Sequence, residues 1–279
     1  MTTRPLVPTR TPERLPLLLA PLAGLVGLGA AVAAARTIAA ARIGATRGRA
    51  RLGAAWWILD PILQIGGWLL FVAVIRGGAH DATDAAAIAA CVASWRALIT
   101  VAMETGDGYI TGSALTRMPA LPRVALPLAA TLTAVFGATF SILIVAGFLA
   151  LVAPAIALAA ALPLLGLFVI ALVTGAGLGM CLAAVSPFSP DLRRFLRSTL
   201  RVVFFATPVL YGLDHVESPL LFTALSINPL SPLFEAIRAA VAGTLTPAGL
   251  LLPAGIALLL LAFGAGACRR LAGRIAAAV

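Results

Sequence analysis

Six long apolar stretches constrain this chain more than any other feature of its sequence. A helix needs about 20 apolar residues to cross a bilayer. Stretches that approach or exceed this length lie at 57–75, 85–103, 125–152, 155–185, 195–213 and 250–267. With 61% hydrophobic and 11% charged residues among 279, the chain has more apolar surface than a soluble core can hide. The sequence therefore predicts an all-α polytopic membrane protein with six transmembrane helices.

The basic residues indicate how such a chain is oriented. All 20 are arginines, and all but Arg76, Arg96 and Arg238 fall in clusters at 4–51, 117–123, 193–201 and 269–274. Basic loops resist translocation, so loops that alternate between arginine-rich and arginine-poor report orientation. This distribution predicts a membrane protein with both termini in the cytoplasm. The net charge of +10 is thus explained by topology and anionic lipids, and we expect no nucleic-acid partner.

Several kinds of catalytic and binding site are disfavoured by composition. The sequence has no lysine, and a phosphate-binding P-loop requires its lysine. The three cysteines and two histidines lie far apart, without the spacing of metal ligands or of a disulfide framework. The glycine run at 175–179 follows no strand, so it predicts close helix packing. We therefore expect no catalytic residue, no metal and no cofactor held by this chain.

The N-terminal region does not fit a simple count of six spans. Residues 15–35 have a basic start, an apolar middle and an Ala-x-Ala ending, as a signal peptide does. Cleavage or an outward crossing would place the arginines at 36–51 outside, against the charge bias. We expect an amphipathic segment in the membrane interface, within an N-terminal cytoplasmic region over 1–52 that precedes the six-span domain over 53–279. A seventh span with an external N-terminus is the alternative.

A second irregular region lies between the last two predicted spans, over 213–247. Residues 220–225 and 230–241 are apolar but too short to cross, and Asn228, Pro229 and Pro232 separate or interrupt them. This pattern predicts a re-entrant hairpin, whose irregular backbone must be surrounded by protein or line a cavity. An ordinary interfacial loop is the alternative.

Arg96 is the most informative single residue, because a cation in the middle of a predicted span needs a cavity or a partner. Its guanidinium can bind the phosphate of a substrate, pair with Asp60 and lock the first two spans, or extend to the interface. Trp57 fits either an interface anchor or a sugar-stacking surface. Trp95, next to Arg96, is the better candidate to line a substrate pathway.

Carboxylates near predicted span ends suggest contacts with other segments rather than catalysis. Glu104 and Asp107 are three residues apart at the end of the second span, without a nucleophile or metal motif beside them. Salt bridges to the basic N-terminal region or to a partner explain them better. Asp191 precedes Arg193 where a helix cap is useful, and capping is compatible with a role in coupling.

Four motifs in order carry a resemblance to a known family. Residues 52–64, Leu-Gly-Ala-Ala-Trp-Trp-Ile-Leu-Asp-Pro-Ile-Leu-Gln, resemble the start of the first span of type-2 ATP-binding-cassette (ABC-2) export permeases. The polysaccharide, O-antigen and teichoic-acid exporters are the most similar group. Trp95 with the Leu-Pro-Arg and Leu-Pro-Leu triplets at 121–128 forms the second motif. Ser-Pro-Asp-Leu-Arg-Arg at 189–194 with Pro-Val-Leu-Tyr at 208–211 forms the third, and Asn-Pro-Leu-Ser-Pro at 228–232 with Glu235 and Arg238 forms the fourth.

The resemblance implies a homodimeric pore in the bacterial plasma membrane, above two copies of a cytoplasmic ABC ATPase, which would bind ATP and Mg²⁺. It implies coupling helices within 106–121 and 186–194, and a lipid-linked glycan or polyol-phosphate polymer as substrate. The residues placed at the coupling surface are Glu104, Asp107, Arg117, Asp191 and Arg193. Those placed at the outer gate are Asn228, Pro229, Pro232 and Glu235.

Two other functions stay open. One is an ABC-2 permease for a drug or lipid. The other is an integral membrane enzyme of lipid-linked sugar metabolism, a class that usually presents several cytoplasmic carboxylates for Mg²⁺ chemistry.

Overall fold

The computed structural model describes residues 20–46, 55–75, 81–116, 118 and 121–278. Over these ranges every regular element is a helix. The α-helices are α1 (Ala20–Thr46), α2 (Trp56–Ile75), α3 (Ala82–Gly106), α4 (Gly108–Thr111), α5 (Ser113–Thr116), α6 (Ala125–Val152), α7 (Pro154–Val185), α8 (Pro190–Phe205), α9 (Pro219–Ile227), α10 (Ser231–Val241) and α11 (Leu251–Ala278). Short 3-10 turns occupy Leu213–His215 and Pro247–Leu250.

Five helices are long and apolar enough to cross a membrane. They are α2, α3, α6, α7 and the stretch Pro247–Leu271 that contains most of α11. Each overlaps one of the predicted apolar stretches, so the expectation of an all-helical membrane protein with several spans is confirmed. The N-terminal helix α1 is not among the five, and the predicted interfacial segment begins before the described residues.

The fifth predicted span, 195–213, takes a different form. Helix α8 has 16 residues, which gives a length of about 24 Å, less than the roughly 30 Å of a hydrocarbon core. Pro208 follows the end of α8 closely and has no N–H to continue the helix. Helices α9 and α10 are bent by 101° relative to each other at the short break between them, and they satisfy the length and composition of a span only when taken together.

Helix α3 is the centre of the bundle. About 78% of the 18-residue apolar stretch of α3 that would cross the membrane is buried, against 17–28% of the corresponding stretches in the other four long helices. It contacts α2, α6, α7 and α10, and its many alanines leave room for these neighbours.

Close packing between helices depends on the glycine run of α7. A Cβ atom added at Gly175 would clash with the Leu98 carbonyl oxygen of α3. One added at Gly177 would lie 2.5 Å from the Leu261 nitrogen of α11. The prediction that this run serves helix packing is confirmed, since only glycine permits such an approach between backbones.

Helix α1 packs along the first turns of α6. Its buried residues Ala31, Ala35 and Ala39 recur at every fourth position, which places them on one face. Ala31 and Ala35 meet Ala125 and Ala129 of α6 in a small apolar cluster. This contact brings the C-terminal half of α1 next to the side chains described below.

Candidate functional site

Side chains from α1, α2, α3 and α6 line a cleft of about 470 Å³, and its polar groups come from α2, α3 and α6. We call it the polar cleft. Its lining residues are Ile43 of α1; Trp56, Trp57 and Asp60 of α2; Arg96, Ala97, Thr100 and Glu104 of α3; and Thr133, Ala134, Phe136, Gly137, Ala138 and Ser141 of α6. The polar positions of α3 recur at intervals of four residues, and Thr133 and Ser141 of α6 are eight residues apart, so each helix presents its polar groups on one face.

The charged core of the polar cleft is an ion pair between α2 and α3. Arg96 Nη2 donates to Asp60 Oδ2 at 2.6 Å, and Arg96 Nη1 donates to Gln64 Oε1 at 2.7 Å. The side chain of Arg96 is 19% exposed and that of Asp60 is 58% exposed. The pairing with Asp60, one of the roles expected for Arg96, is therefore present. A guanidinium has five N–H donors, so these two contacts leave it capacity for a further ligand.

The two tryptophans named from the sequence lie in different places. Trp57 lines the polar cleft and packs on Phe136 and Phe140, with ring centroids 5.1 and 5.7 Å away. Trp95 is 7% exposed and packs instead on Phe204 of α8 and Phe234 of α10, at 5.4 and 6.0 Å. The structure thus brings Trp57, Asp60 and Arg96 together and places Trp95 in an aromatic cluster outside the cleft.

Glu104 forms one end of the polar cleft, close to a basic residue of α1. Arg42 interacts electrostatically with Glu104, and its Nη2 donates to Thr111 Oγ1 at 3.4 Å. Burial lowers the pKa of Arg42, and the nearby Glu104 carboxylate opposes this shift. The expected link between Glu104 and the N-terminal region therefore has a named partner in Arg42.

The other predicted coupling residues are only partly visible. Asp107 ends α3 and precedes α4, and its backbone N–H donates to Met103 O at 3.0 Å. The helix thus breaks at Asp107 instead of continuing past it. Asp191 lies exposed in the first turn of α8. Arg117 and the side chain of Arg193 lie outside the described residues.

The short helices α4 and α5 are fixed to the bundle by contacts that sequence reasoning missed. Tyr109 is fully buried and packs in a cluster with Leu126, Met180 and Cys268. A Cβ added at Gly108 would lie 2.5 Å from the Cα of Pro127. Ser186 Oγ donates to the Gly106 carbonyl at 2.6 Å. The segment after α3 is therefore tied to α6, α7 and α11.

The two tyrosines of the chain give a matched test of these contacts. Burial raises the pKa of Tyr109, so its hydroxyl stays neutral. Tyr211 Oη donates to Phe205 O at 2.7 Å. The Tyr109 hydroxyl is buried against the thiol of Cys268, which is its hydrogen-bond partner. We expect Tyr211→Phe to cost about 1 kcal/mol of unfolding free energy and Tyr109→Phe to cost less, because a thiol is a weak hydrogen-bonding group. Thermal unfolding in micelles measures both, and a reversed order would contradict the assignment.

Asn228 ties the break between α9 and α10 to the irregular segment after α8. Its Nδ2 donates to Ala206 O at 2.9 Å and to Thr207 Oγ1 at 2.8 Å, and its Oδ1 accepts from Leu230 N at 3.0 Å. Pro229 lies in the turn between the two helices, and Pro232 occupies the first turn of α10, where its missing N–H has no cost.

Two charged side chains of α10 continue this contact. Glu235 Oε1 accepts from Leu213 N at 3.2 Å, and Arg238 Nη2 donates to Val209 O at 2.8 Å. Together with Asn228 they bind backbone groups of 206–213, where no helix satisfies them. All four predicted gate residues thus lie in α10 or in the break that precedes it. Asn228 and Glu235 bind the neighbouring segment, and the two prolines shape the turn.

Removal of the Asn228 amide is expected to loosen this contact. Asn228→Ala deletes three hydrogen bonds, and we expect a loss of about 2 kcal/mol together with faster amide exchange over 206–213. Ser226→Ala is the control, since the Ser226 hydroxyl donates only to Phe222 O of its own helix, at 2.7 Å. Equal exchange rates in the two variants would show that Asn228 does not hold the segment.

The polar cleft offers an ion pair, hydroxyl groups and aromatic faces between helices of membrane-crossing length. In the described part of the chain, no group of three His, Cys, Asp or Glu side chains is placed to hold a metal ion. What is present can bind and guide a polar ligand. No protein-family model matches the chain, and comparison with curated proteins finds no match either.

Proposed function

We propose that this chain is the membrane permease subunit of an ATP-driven ABC-2 exporter in the bacterial plasma membrane. It works as a homodimer and moves a lipid-linked polysaccharide or polyol-phosphate polymer outward. The observation that carries the proposal is the polar cleft, with the Arg96–Asp60 pair at its core. Charged groups among helices of this apolarity are costly unless they serve a pathway or a partner. The four ordered motifs that resemble the ABC-2 exporters support the same function.

The proposed topology has six spans, with α8 and residues 206–213 together forming the fifth. The length that α8 lacks is supplied by this irregular segment, whose backbone is bound by Asn228, Glu235 and Arg238. Irregular backbone at membrane depth is tolerated only where protein surrounds it. The hairpin of α9 and α10 is then re-entrant at the outer face and gates the exit.

The motor is a separate cytoplasmic ABC ATPase in two copies, which binds ATP and Mg²⁺. The coupling surface in this chain includes α4 and α5, since Tyr109 and Ser186 tie that segment to α7 and to the rest of the bundle. A displacement of the segment by the ATPase would therefore move several spans together. Glu104, Asp107, Arg117, Asp191 and Arg193 remain the proposed contact residues.

A permease for a smaller amphiphile is the second candidate function. It is favoured by one observation, the exposed Asp60 and Trp56 in the polar cleft, because aromatic faces and carboxylates suit amphipathic cations. The membrane-enzyme alternative has less support, since the carboxylates named from the sequence, Glu104, Asp107 and Asp191, do not form a metal-binding group.

The proposal is tested by deleting the chain from cells that make a surface polymer. We expect lipid-linked polymer to accumulate on the cytoplasmic side while its synthesis continues. Complementation by the wild-type chain should restore surface polymer. The variant Arg96→Glu, which places a second negative charge beside Asp60, should not restore it. Unchanged surface polymer in the deletion strain, with altered resistance to a cationic drug, would favour the second candidate instead.

A further inference from the structure

We propose that the polar cleft binds a zwitterionic head group in which a phosphate and an ammonium lie next to each other. The phosphate lies at Arg96 and Ser141, and the ammonium lies at Asp60 and Trp57. This inference goes beyond the proposed export function and does not rest on it, because it concerns lipid binding by this chain alone, in the absence of any ATPase.

The charges of the cleft favour a ligand that carries both signs. Arg96 and Asp60 are 2.6 Å apart and form a side-by-side pair of opposite charges, while Glu104 interacts with Arg42 of α1. A lone phosphate at Arg96 would meet the repulsion of Asp60, and a lone ammonium at Asp60 would meet that of Arg96. A zwitterion places each of its charges against the opposite one, so both contacts are favourable.

Ser141 gives an independent sign of a ligand. Its side chain is 1% exposed and lines the cleft, yet its hydroxyl has no hydrogen-bond partner within the described part of the chain. The neighbouring hydroxyls of α6 behave differently: Thr131 and Thr133 each donate to a carbonyl of their own helix at 2.9 Å. A buried polar group without a partner is rare and calls for one, and a phosphate oxygen accepts from a hydroxyl.

Arg96 can hold the phosphate without giving up its present contacts. Nη1 and Nη2 each use one N–H for Gln64 and Asp60, and three of the five N–H donors remain. Hydrogen bonds between a guanidinium and a phosphate are charge-assisted and among the stronger ones in proteins.

The ammonium end has an aromatic face and a carboxylate. Trp57 is three residues from Asp60 on α2, so the two side chains share one side of the helix. The rings of Phe136 and Phe140 fix the indole, and Asp60 is 58% exposed. An aromatic face beside a carboxylate suits an ammonium group through cation–π attraction. The volume of about 470 Å³ falls in the usual range for small-molecule sites.

The test uses the purified full-length chain in micelles, with bound lipid counted by native mass spectrometry. The probes share their acyl chains and differ in head group: zwitterionic phosphatidylethanolamine, anionic phosphatidylglycerol and a cationic trimethylammonium lipid. We expect the zwitterionic lipid to bind about tenfold more tightly than either singly charged lipid. Water-soluble phosphoethanolamine should displace it, because the site recognises the head group rather than the chains.

Variants assign the contacts. Ser141→Ala and Asp60→Asn should each weaken retention of phosphatidylethanolamine several-fold, by about 3- to 10-fold, as expected for loss of one hydrogen bond to a charged group. Ser94→Ala, which removes the hydroxyl of another buried serine outside the cleft, should leave retention unchanged. Size-exclusion elution confirms that each variant is folded. Preference for phosphatidylglycerol, equal effects of the two serine variants, or failure of phosphoethanolamine to displace the lipid would each overturn the proposal.

Discussion

Replacement of Gly264 by leucine is expected to separate α11 from α7 and to cost about 3 kcal/mol of unfolding free energy. A Cβ at this position would lie 2.6 Å from the Gly177 carbonyl oxygen and 2.8 Å from the Cys181 nitrogen. These are backbone atoms of a facing helix, so no side-chain rotation relieves the clash. The two helices would have to move apart, and the packing that holds them in a membrane depends on close approach.

Gly266, two residues after Gly264, provides the matched control. It lies on the same helix, but a Cβ added there meets no heavy atom within 4 Å. We expect Gly266→Leu to unfold near the wild-type midpoint in a thermal or SDS titration. A Gly264→Leu variant that unfolds at the same midpoint as Gly266→Leu would contradict the packing described for α7 and α11.

Removal of the Arg96–Asp60 pair is the second change with a large expected effect. We expect export to stay low even in a variant whose stability is restored. Arg96→Gln leaves the Asp60 carboxylate without its partner, and we expect a stability loss of about 1–2 kcal/mol, less than for a fully buried pair because Asp60 is 58% exposed. The double variant Arg96→Gln/Asp60→Asn has neither charge and should regain stability. Export should stay reduced roughly tenfold or more in both, because Arg96 lines the polar cleft that we propose as the cargo pathway.

Surface polymer per assembled permease measures this effect, with Arg270→Gln as the control. Arg270 is an exposed arginine of α11 outside the cleft, and its loss should leave export unchanged. Normal export by the double variant would assign Arg96 only the structural role of joining α2 to α3.

Most of the long helices follow from apolarity and length alone. Helices α2, α3, α6, α7 and α11 overlap predicted stretches because around twenty consecutive apolar residues have few other stable arrangements in a membrane. The stretch 195–213 is not one continuous helix, since Pro208 and Gly212 interrupt its apolar run, and the arginines that precede it belong to the same helix as its first residues. The start of α8 at Pro190 depends on this proline, which is well suited to a first helical turn.

Residues of the site could be predicted from the sequence only where an unpaired side chain would be energetically unfavourable inside a membrane. Arg96 and Asp60 were linked from the sequence because each needs a partner inside a membrane. Trp95 was placed beside Arg96 by sequence adjacency, but neighbouring positions on a helix point about 100° apart, and Trp95 faces the aromatic cluster. Ser141 and Tyr109 were missed because a single polar side chain in an apolar helix acquires meaning only from its neighbours. The four-residue spacing of Arg96, Thr100 and Glu104 was the one available signal for the polar face.

The central claim, a permease driven by a separate ATPase, is tested most directly in inside-out membrane vesicles that contain the chain and its co-expressed ATPase. A radiolabelled lipid-linked glycan is supplied on the cytoplasmic side, and its protection from an impermeant glycosidase is measured over time. The account predicts protection that requires hydrolysable ATP and is lost when either subunit is omitted. Protection independent of ATP, or chemical conversion of the glycan by the chain alone, would contradict it.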